Sequence, residues 1–279
     1  MKTDNIKISV ITVIYNGIDF IEDTIRSVIG QDYNNLEYII IDGGSTDGTV
    51  ELLKSYDNNV TRWISEKDRG IAEAFNKGLT HCTGDYVLFL NSDDMLTDPS
   101  VIQTIVDEIN KNSHPCLIYG DFDIIDRNSG KPLYRGVVNF SCKGMIKRGE
   151  ILPHPCLFTS KKYFDKYGTF DTWYRIAMDY ELFLRGVFKE TVVHVPVLTT
   201  KIRSGGASTG NRELVVEEII AALKKNGHLR SPLAKLRRNL YFTFRFYVRK
   251  FLEYTFLYSS FTYLRNMIRR MSLPGSEKI

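Results

Sequence analysis

Gly84-Asp-Tyr-Val-Leu-Phe-Leu-Asn-Ser-Asp-Asp94 decides how this chain is read. Tyr86 to Leu90 is a short uninterrupted apolar run, the pattern of a strand buried on both faces, and it stops at a cluster of polar residues. Asp93 and Asp94 therefore stand at a strand tip. Two carboxylates there suit a hard cation held between the protein and a ligand's phosphates, with few protein ligands and with water and substrate oxygens completing the shell. The other reading of the pair is a solvated turn in which Asp94 caps the next helix.

Upstream, the same unit recurs. Ile8 to Tyr15 is rich in β-branched residues and closes at Asn16-Gly17, and Asp19 to Ile29 spaces Phe20, Ile21, Ile25 and Val28 for one helical face. Leu36 to Ile41 is a second apolar strand, broken by Asp42-Gly43-Gly44-Ser45, and a helix is expected from Asp47 to Ser55. A short strand near Val60 to Ile64 and a helix from Gly70 to Thr80 lead into the decisive segment. Strand followed by helix, repeated, predicts parallel β-α-β units in a doubly wound α/β sheet. In such sheets ligands bind beyond the carboxyl ends of the strands, where Tyr15-Asn16, Asp42 and Asp93-Asp94 all fall.

Downstream, a helix is expected over Ser100 to Asn112 and an antiparallel extension over Leu117 to Phe140, turning at Asp126 to Gly130. A helical run lies within Phe170 to Arg185, a flexible loop at Ser204-Gly-Gly-Ala-Ser208, and a further helix at Asn211 to Asn226. The glycine loop after Asp42 lacks both the G-x-G-x-x-G spacing and a P-loop lysine, so neither a dinucleotide nor a Walker motif is indicated. Asp42 is expected to face a nucleotide, while Ser45 to Asp47 cap the helix beginning there.

Four further positions each carry a functional and a structural reading. Asp179 is either a general base toward an acceptor hydroxyl or an ordinary helix N-terminal carboxylate. His154, between Pro153 and Pro155, either lines an acceptor cleft or serves as an extra ligand, or it is structural. Arg203, beside Ser204-Gly205-Gly206, belongs either to a lid that brings a positive charge to a diphosphate or to a plain surface loop. Tyr15 either stacks on a base or packs at its strand end.

Composition narrows the classes. Hydrophobic residues at 43% and charged residues at 25% are those of an ordinary globular chain, which argues against disorder. The four cysteines have no C-x-x-C spacing, so a zinc knuckle or disulfide framework is not indicated and a reducing cytosol fits. Residues 231–271 hold nine Lys or Arg against Glu253 alone, a net +8, and Glu277 and Lys278 cancel. The formal +4 of the whole chain thus leaves −4 on the first 230 residues. An acidic body with a basic tail is not the footprint of a nucleic-acid binder. Lys235 to Met271 interleaves its cations with eleven aromatics, a composition suited to helices lying in a membrane interface; packing on protein is the alternative. No stretch reaches the ~20 apolar residues of a membrane span, and the apolar run near the N-terminus is too short and polar for a signal peptide.

Five linked segments resemble glycosyltransferase family 2, an inverting family with the GT-A fold. They are Ser9-Val-Ile-Thr-Val-Ile-Tyr-Asn16, Ile40-Ile-Asp-Gly-Gly-Ser-Thr-Asp-Gly-Thr49, Asp68-Arg-Gly-Ile-Ala-Glu-Ala-Phe-Asn-Lys-Gly78, the Gly84 to Asp94 stretch, and Ala177-Met-Asp-Tyr-Glu-Leu-Phe-Leu-Arg185. The resemblance spans Lys7 to Arg203 and implies a Rossmann-like, mostly parallel sheet flanked by helices. It assigns residues 1–228 to the catalytic domain and leaves 229–279 as a basic, aromatic helical extension. It implies a nucleotide-sugar site drawn from Thr12, Val13, Tyr15, Asn16, Asp42, Asp68, Arg69, Asn76, Ser92 and Asp93. Asp93 and Asp94 would hold a divalent metal (Mn2+ or Mg2+), Asp179 would be the catalytic base, and His154 and Arg203 would serve the acceptor or a lid. The family's second acid after strand two, a frequent contact to uracil, is Gly43 here, which opens the base identity while UDP stays favoured. The expected partners are a nucleotide-sugar donor, a lipid-linked saccharide acceptor of O-antigen or capsule type, and a membrane surface reached through the C-terminal segment. The expected location is cytoplasmic, peripheral on the inner membrane; the oligomeric state is left open. Competing classes are a sugar nucleotidyltransferase, which would place a basic Gly-rich loop where Asn16-Gly17-Ile18-Asp19 stands, and a non-catalytic nucleotide-sugar or membrane-binding module, which would not need Asp93, Asp94 and Asp179.

Overall fold

In the computed structural model, residues 5–136, 140–141, 144–146, 152–206 and 210–229 are described. The strands are β1 (Ile8–Ile14), β2 (Leu36–Asp42), β3 (Arg62–Ser65), β4 (Tyr86–Asn91), β5 (Met95–Leu96), β6 (Leu117–Ile125), β7 (Pro132–Gly136), β8 (Leu157–Ser160) and β9 (Val192–Arg203). The helices are α1 (Ile18–Ile29), α2 (Thr49–Ser55), α3 (Ile71–His81), α4 (Val101–Lys111), α5 (Lys161–Tyr167), α6 (Met178–Gly186) and α7 (Arg212–Lys225). The chain divides into two units, Met1–Asn226 and Gly227–Ile279. The basic aromatic segment read from Lys235 to Met271 lies outside the described residues, as do Ala207 and Ser208 of the glycine loop. Among the described residues no helix is long and apolar enough to cross a membrane.

One sheet runs in the order β3-β2-β1-β4-β8-β6-β9-β5, with β7 added beside β6. Its first half, β3-β2-β1-β4, is parallel, and every residue of β1 is buried because helices cover both faces. α1 turns Ile21, Thr24, Ile25 and Val28 inward on one face. On the other, α3 reaches β1 through Gly78, where an added Cβ would stand 2.4 Å from Ile11 Cγ2. This close approach needs a residue without a side chain.

The second half is mixed. β8 and β6 run antiparallel, β9 lies parallel to β6, and β5 pairs antiparallel with β9. The antiparallel β6-β7 hairpin and its turn match the expected extension. β8 and the long β9 are strands that the sequence pattern does not signal. β9 contains Pro196, which cannot donate to a ladder, and its register against β6 slips there, from Tyr119 opposite His194 to Asp121 opposite Leu198. One helix start differs from the prediction. α2 starts at Thr49 rather than Asp47, because Gly48 takes a left-handed φ of 99° at the cap position. The helical run expected within Phe170 to Arg185 begins at Met178, after the Asp-bearing entry.

Candidate active site

Register brings the carboxyl ends of the parallel strands level. Ile14 pairs with Asp42, Asp42 with Ser65, and Val13 with Asn91, so the loops after β1, β2, β3 and β4 open on one edge. This is the crevice where doubly wound sheets bind ligands. The loop after β1 is clipped to the loop after β2: Asn16 N–H donates to Ser45 Oγ (2.7 Å), and Thr46 N–H donates to Asn16 Oδ1 (2.9 Å). Asn16 itself has φ 49°, a left-handed turn that asparagine tolerates.

Asp42 is fully buried and much of its accepting capacity is used within the loop. Gly44 N–H, Ser45 N–H and the hydroxyls of Ser45 and Ser65 all donate to its carboxylate. The helix cap expected from Ser45 to Asp47 falls to Asp47 alone, which accepts from Thr49 N–H (3.1 Å) and Ile18 N–H (3.0 Å), while Ser45 serves Asp42. Asp68 accepts from Gly70 N–H, and its Oδ2 would stand 2.7 Å from a Cβ on residue 43. Gly43 thus leaves room for the Asp68 carboxylate.

The remaining nucleotide-site candidates are dispersed. Thr12 is buried in β1 and accepts from the Tyr38 hydroxyl (3.1 Å), and Val13 is buried beside it. Asn76 spends its amide on the backbone of Phe170. Arg69 pairs with Glu73 at the surface, and Tyr15 is 66% exposed. Ser92 is half-buried, and its carbonyl accepts from the Thr24 hydroxyl.

Asp93 and Asp94 differ sharply. Asp93 keeps a fifth of its side chain exposed and pairs through Oδ2 with Arg127 Nη1 at 2.6 Å. Asp94 is buried; Asn91 Nδ2 donates to its Oδ2 (2.8 Å) and Arg203 N–H to its Oδ1 (3.2 Å). Burial foremost, and then the neighbouring Asp93 charge, push the Asp94 carboxyl up to about 8 against the weaker pull of these donors. Arg203 closes β9 and is itself buried, with Nη2 on Asp23 (2.5 Å), so it belongs to the sheet edge rather than to a lid.

A chain of side chains leads from this motif to Asp179. Asn91 presents Oδ1 to His154 Nε2 (3.0 Å), and His154 Nδ1 lies 3.1 Å from Asp179 Oδ2. With Asn91 Nδ2 donating to Asp94, its Oδ1 is the atom that faces His154 Nε2. The imidazole is seated edge-on to Phe75 (5.6 Å between ring centres), which packs with Phe89 and Phe170. Asp179 lies in the first turn of α6, where Tyr180 N–H also donates to it. The loop just before that helix is gripped by the buried Glu218 of α7, whose carboxylate accepts from the N–H groups of Arg175 (2.7 Å), Ile176 (2.9 Å) and Ala177 (2.8 Å).

Asn91, Arg127 and Glu218 are participants that sequence reasoning does not single out. Asn91 lies within the decisive motif, so a strand-end signal for it exists. Arg127 and Glu218 carry no local signal, because their partners lie 34 residues or more away. Among the described residues no group of three or more His, Cys, Asp or Glu gathers as a closed metal cage.

A mostly parallel sheet with carboxylates at the carboxyl ends of its strands defines an α/β fold with a ligand edge, and comparison with known proteins names the class. The model for "Glycosyl transferase family 2" matches residues 9–191, and the chain belongs to that family. It is a glycosyltransferase. An uncharacterized glycosyltransferase of Mycobacterium tuberculosis is 34% identical over 179 residues, covering 64% of this chain and 68% of that protein. A putative teichuronic acid biosynthesis glycosyltransferase of Bacillus subtilis, TuaG, is 46% identical over 90 residues, 31% of this chain and 36% of that one. Among solved structures, S. aureus TarS in complex with UDP-GlcNAc superposes with a TM-score of 0.61 at 18% identity, over 83% of this chain and 69% of that one. The mannosyltransferase PcManGT of Pyrobaculum calidifontis, solved with GDP-Man and Mn2+, gives 0.60 at 17% identity, over 85% and 70%. At these identities the two structures establish the shared GT-A fold.

Proposed function

We propose that the chain is a metal-dependent inverting glycosyltransferase that moves a sugar from a nucleoside diphosphate donor, a UDP-sugar in first place, to a hydroxyl of a lipid-linked saccharide in surface-polysaccharide assembly. The observation that carries this reading is the side-chain path Asp94–Asn91–His154–Asp179, which ties a strand-end carboxylate pair to a third carboxylate in one hydrogen-bonded network. Relatives support its terms: TuaG is named for teichuronic acid biosynthesis, and the TarS and PcManGT structures hold UDP-GlcNAc and GDP-Man with Mn2+.

The donor set fits a hard divalent ion. Asp93 is the accessible carboxylate that would hold the ion, and the buried Asp94, fixed by Asn91 and the Arg203 N–H, would complete the pair once the ion offsets its burial. When bound, the ion neutralises charge gathering on the departing diphosphate. Asp179 accepts the proton of the acceptor hydroxyl as that oxygen attacks the anomeric carbon from the face opposite the leaving group. One displacement inverts the configuration and needs no covalent nucleophile. His154 holds the Asp179 carboxylate in place, and Asp42 braces the loop that receives the nucleotide. Residues 1–228 carry the catalysis, and 229–279 bring the enzyme to the cytoplasmic face of the inner membrane as a peripheral protein, through aromatic and cationic side chains.

The test is a panel of UDP-, GDP- and dTDP-sugars, with and without Mn2+, followed by calorimetry and release of free nucleotide. Metal-dependent selection of one donor is expected, with loss in Asp94→Ala. Asp179→Asn is expected to lower transfer by about 10²–10⁴-fold while sparing donor binding. Full activity in that variant removes Asp179 from the role of base.

A further inference from the structure

Phe20, in the first turns of α1, carries two guanidinium groups. Arg127 Cζ lies 4.4 Å from the ring centre and Arg203 Cζ 4.8 Å. Arg127 comes from the β6–β7 turn, anchored by its N–H on Ser204 Oγ (3.2 Å), and keeps 39% of its side chain exposed. Arg203 comes from the end of β9 and is only 7% exposed. Two cations sharing one ring repel each other, so each leans on an acid: Arg127 on Asp93 (2.6 Å) and Arg203 on Asp23 (2.5 Å). The arrangement is nonetheless under-compensated. Arg203 Nε is buried with no hydrogen-bond partner among the described residues, a donor awaiting an acceptor. Asp93 Oδ2 has the opposite problem, since an oxygen held by a guanidinium is not free for a metal ion.

We infer that Arg127 is an internal counter-ion that holds Asp93 in the ligand-free chain, and that Arg127 and Arg203 on Phe20 together form the seat for the donor's diphosphate. The inference rests on the transferase reading and adds how the site is filled. The planar guanidinium fork matches phosphate oxygens, and a ring face restrains it without competing for its N–H groups. When the diphosphate arrives, Arg127 leaves Asp93 for phosphate oxygens, and Asp93 turns its freed oxygen to the metal. Charge is conserved at each place: the carboxylate exchanges one cation for another, and the guanidinium exchanges one anion for another. Metal and nucleotide therefore bind cooperatively, each removing the partner that the other must displace, and linkage makes that coupling reciprocal. Arg127 also gives the leaving group a positive charge of the protein's own.

The experiment uses the full chain, with Mn2+ alone followed by electron paramagnetic resonance, and UDP, GDP and dTDP titrated by calorimetry with and without Mn2+. In Arg127→Gln, Mn2+ without nucleotide is expected to bind about tenfold tighter, UDP about tenfold weaker, and the mutual enhancement of Mn2+ and UDP to shrink toward none. Arg127→Lys keeps the charge without the fork; it should leave Mn2+ binding near that of the parent and weaken UDP. Unchanged or weaker Mn2+ binding in Arg127→Gln, no Mn2+ binding in either protein, or unchanged UDP affinity would overturn the inference. A parent chain that binds none of UDP, GDP and dTDP overturns the proposed nucleoside diphosphate donor instead, while the Mn2+ arm, free of nucleotide, still decides the Arg127–Asp93 half.

Discussion

His154 shows how one side chain acquires meaning only through its neighbours. Both ring nitrogens are engaged, one by Asn91 and one by Asp179, so the ring cannot rotate without breaking a contact at each end. A positioning residue of this kind acts through Asp179. Replacing His154 with Ala is expected to lower kcat by roughly 10–100-fold with little change in donor KM, since the base loses its alignment while the nucleotide site is untouched. His154→Gln, which can still reach one of the two partners, should recover part of the loss. Steady-state kinetics at saturating donor checks both; an effect confined to donor KM would place His154 in the nucleotide site instead.

Among the elements, α6 and the loop before it depend on α7. Glu218 supplies an acceptor to three consecutive N–H groups of the loop that leads into α6, a helix whose N-cap makes no side-chain bond of its own. Its carboxylate also sits at the positive end of the α6 dipole. Glu218→Ala strands those donors, buried at Ala177 and part-buried at Arg175 and Ile176, and is expected to cost about 1–3 kcal/mol, visible as a lower thermal midpoint, together with reduced turnover because Asp179 lies in the helix that follows. A thermal midpoint equal to the parent's would show that the loop finds other acceptors. Glu181 of the same helix plays a different part: fully buried, it pairs with Arg185 and with Lys225 of α7 and so locks the two helices together.

On the scale of the whole molecule, the two ends of the parallel strands have separate tasks. The carboxyl ends carry the candidate site. At the opposite end Glu37, buried beside β1, accepts from Ser9 Oγ (2.5 Å), Thr83 and Gly84 and pairs with Lys7 (2.7 Å). Burial by itself would raise its pKa, but the bonds from Lys7, Ser9 and Thr83 outweigh it and lower the value to about 2 from an ordinary 4.5. A folded value below the unfolded one contributes stability that is present above pH 4.5 and is lost as the pH falls toward 2. Glu37→Gln is expected to lose about 2–3 kcal/mol at neutral pH and to show a flatter decline in this acid range, measured by denaturant unfolding across pH. A parallel decline in both proteins would assign the acid sensitivity elsewhere. The C-terminal segment is tested at the same scale: deletion of residues 231–279 is expected to abolish binding to anionic liposomes, and retained binding would put the membrane contact on the catalytic body.

What the sequence determined by itself was local or repetitive. Apolar runs of strand length, helical spacing in α1 and α3, and acids at the tip of β4 are each written within a dozen residues, and their order implies the parallel half of the sheet together with the edge where ligands bind. For the same reason the placement of Asp93-Asp94 after a strand end and of Asp179 in a helix's first turn was legible. The rest required the chain to fold back on itself. β9 carries Pro196 and a slipped register, and its two sheet neighbours rather than its own pattern make it a strand. Arg127 meets Asp93, His154 meets Asp179, and Glu218 meets residues 175–177 only through tertiary packing. Periodicity reports which face of an element is buried, whereas hydrogen bonds and ion pairs between distant residues depend on where whole elements come to rest.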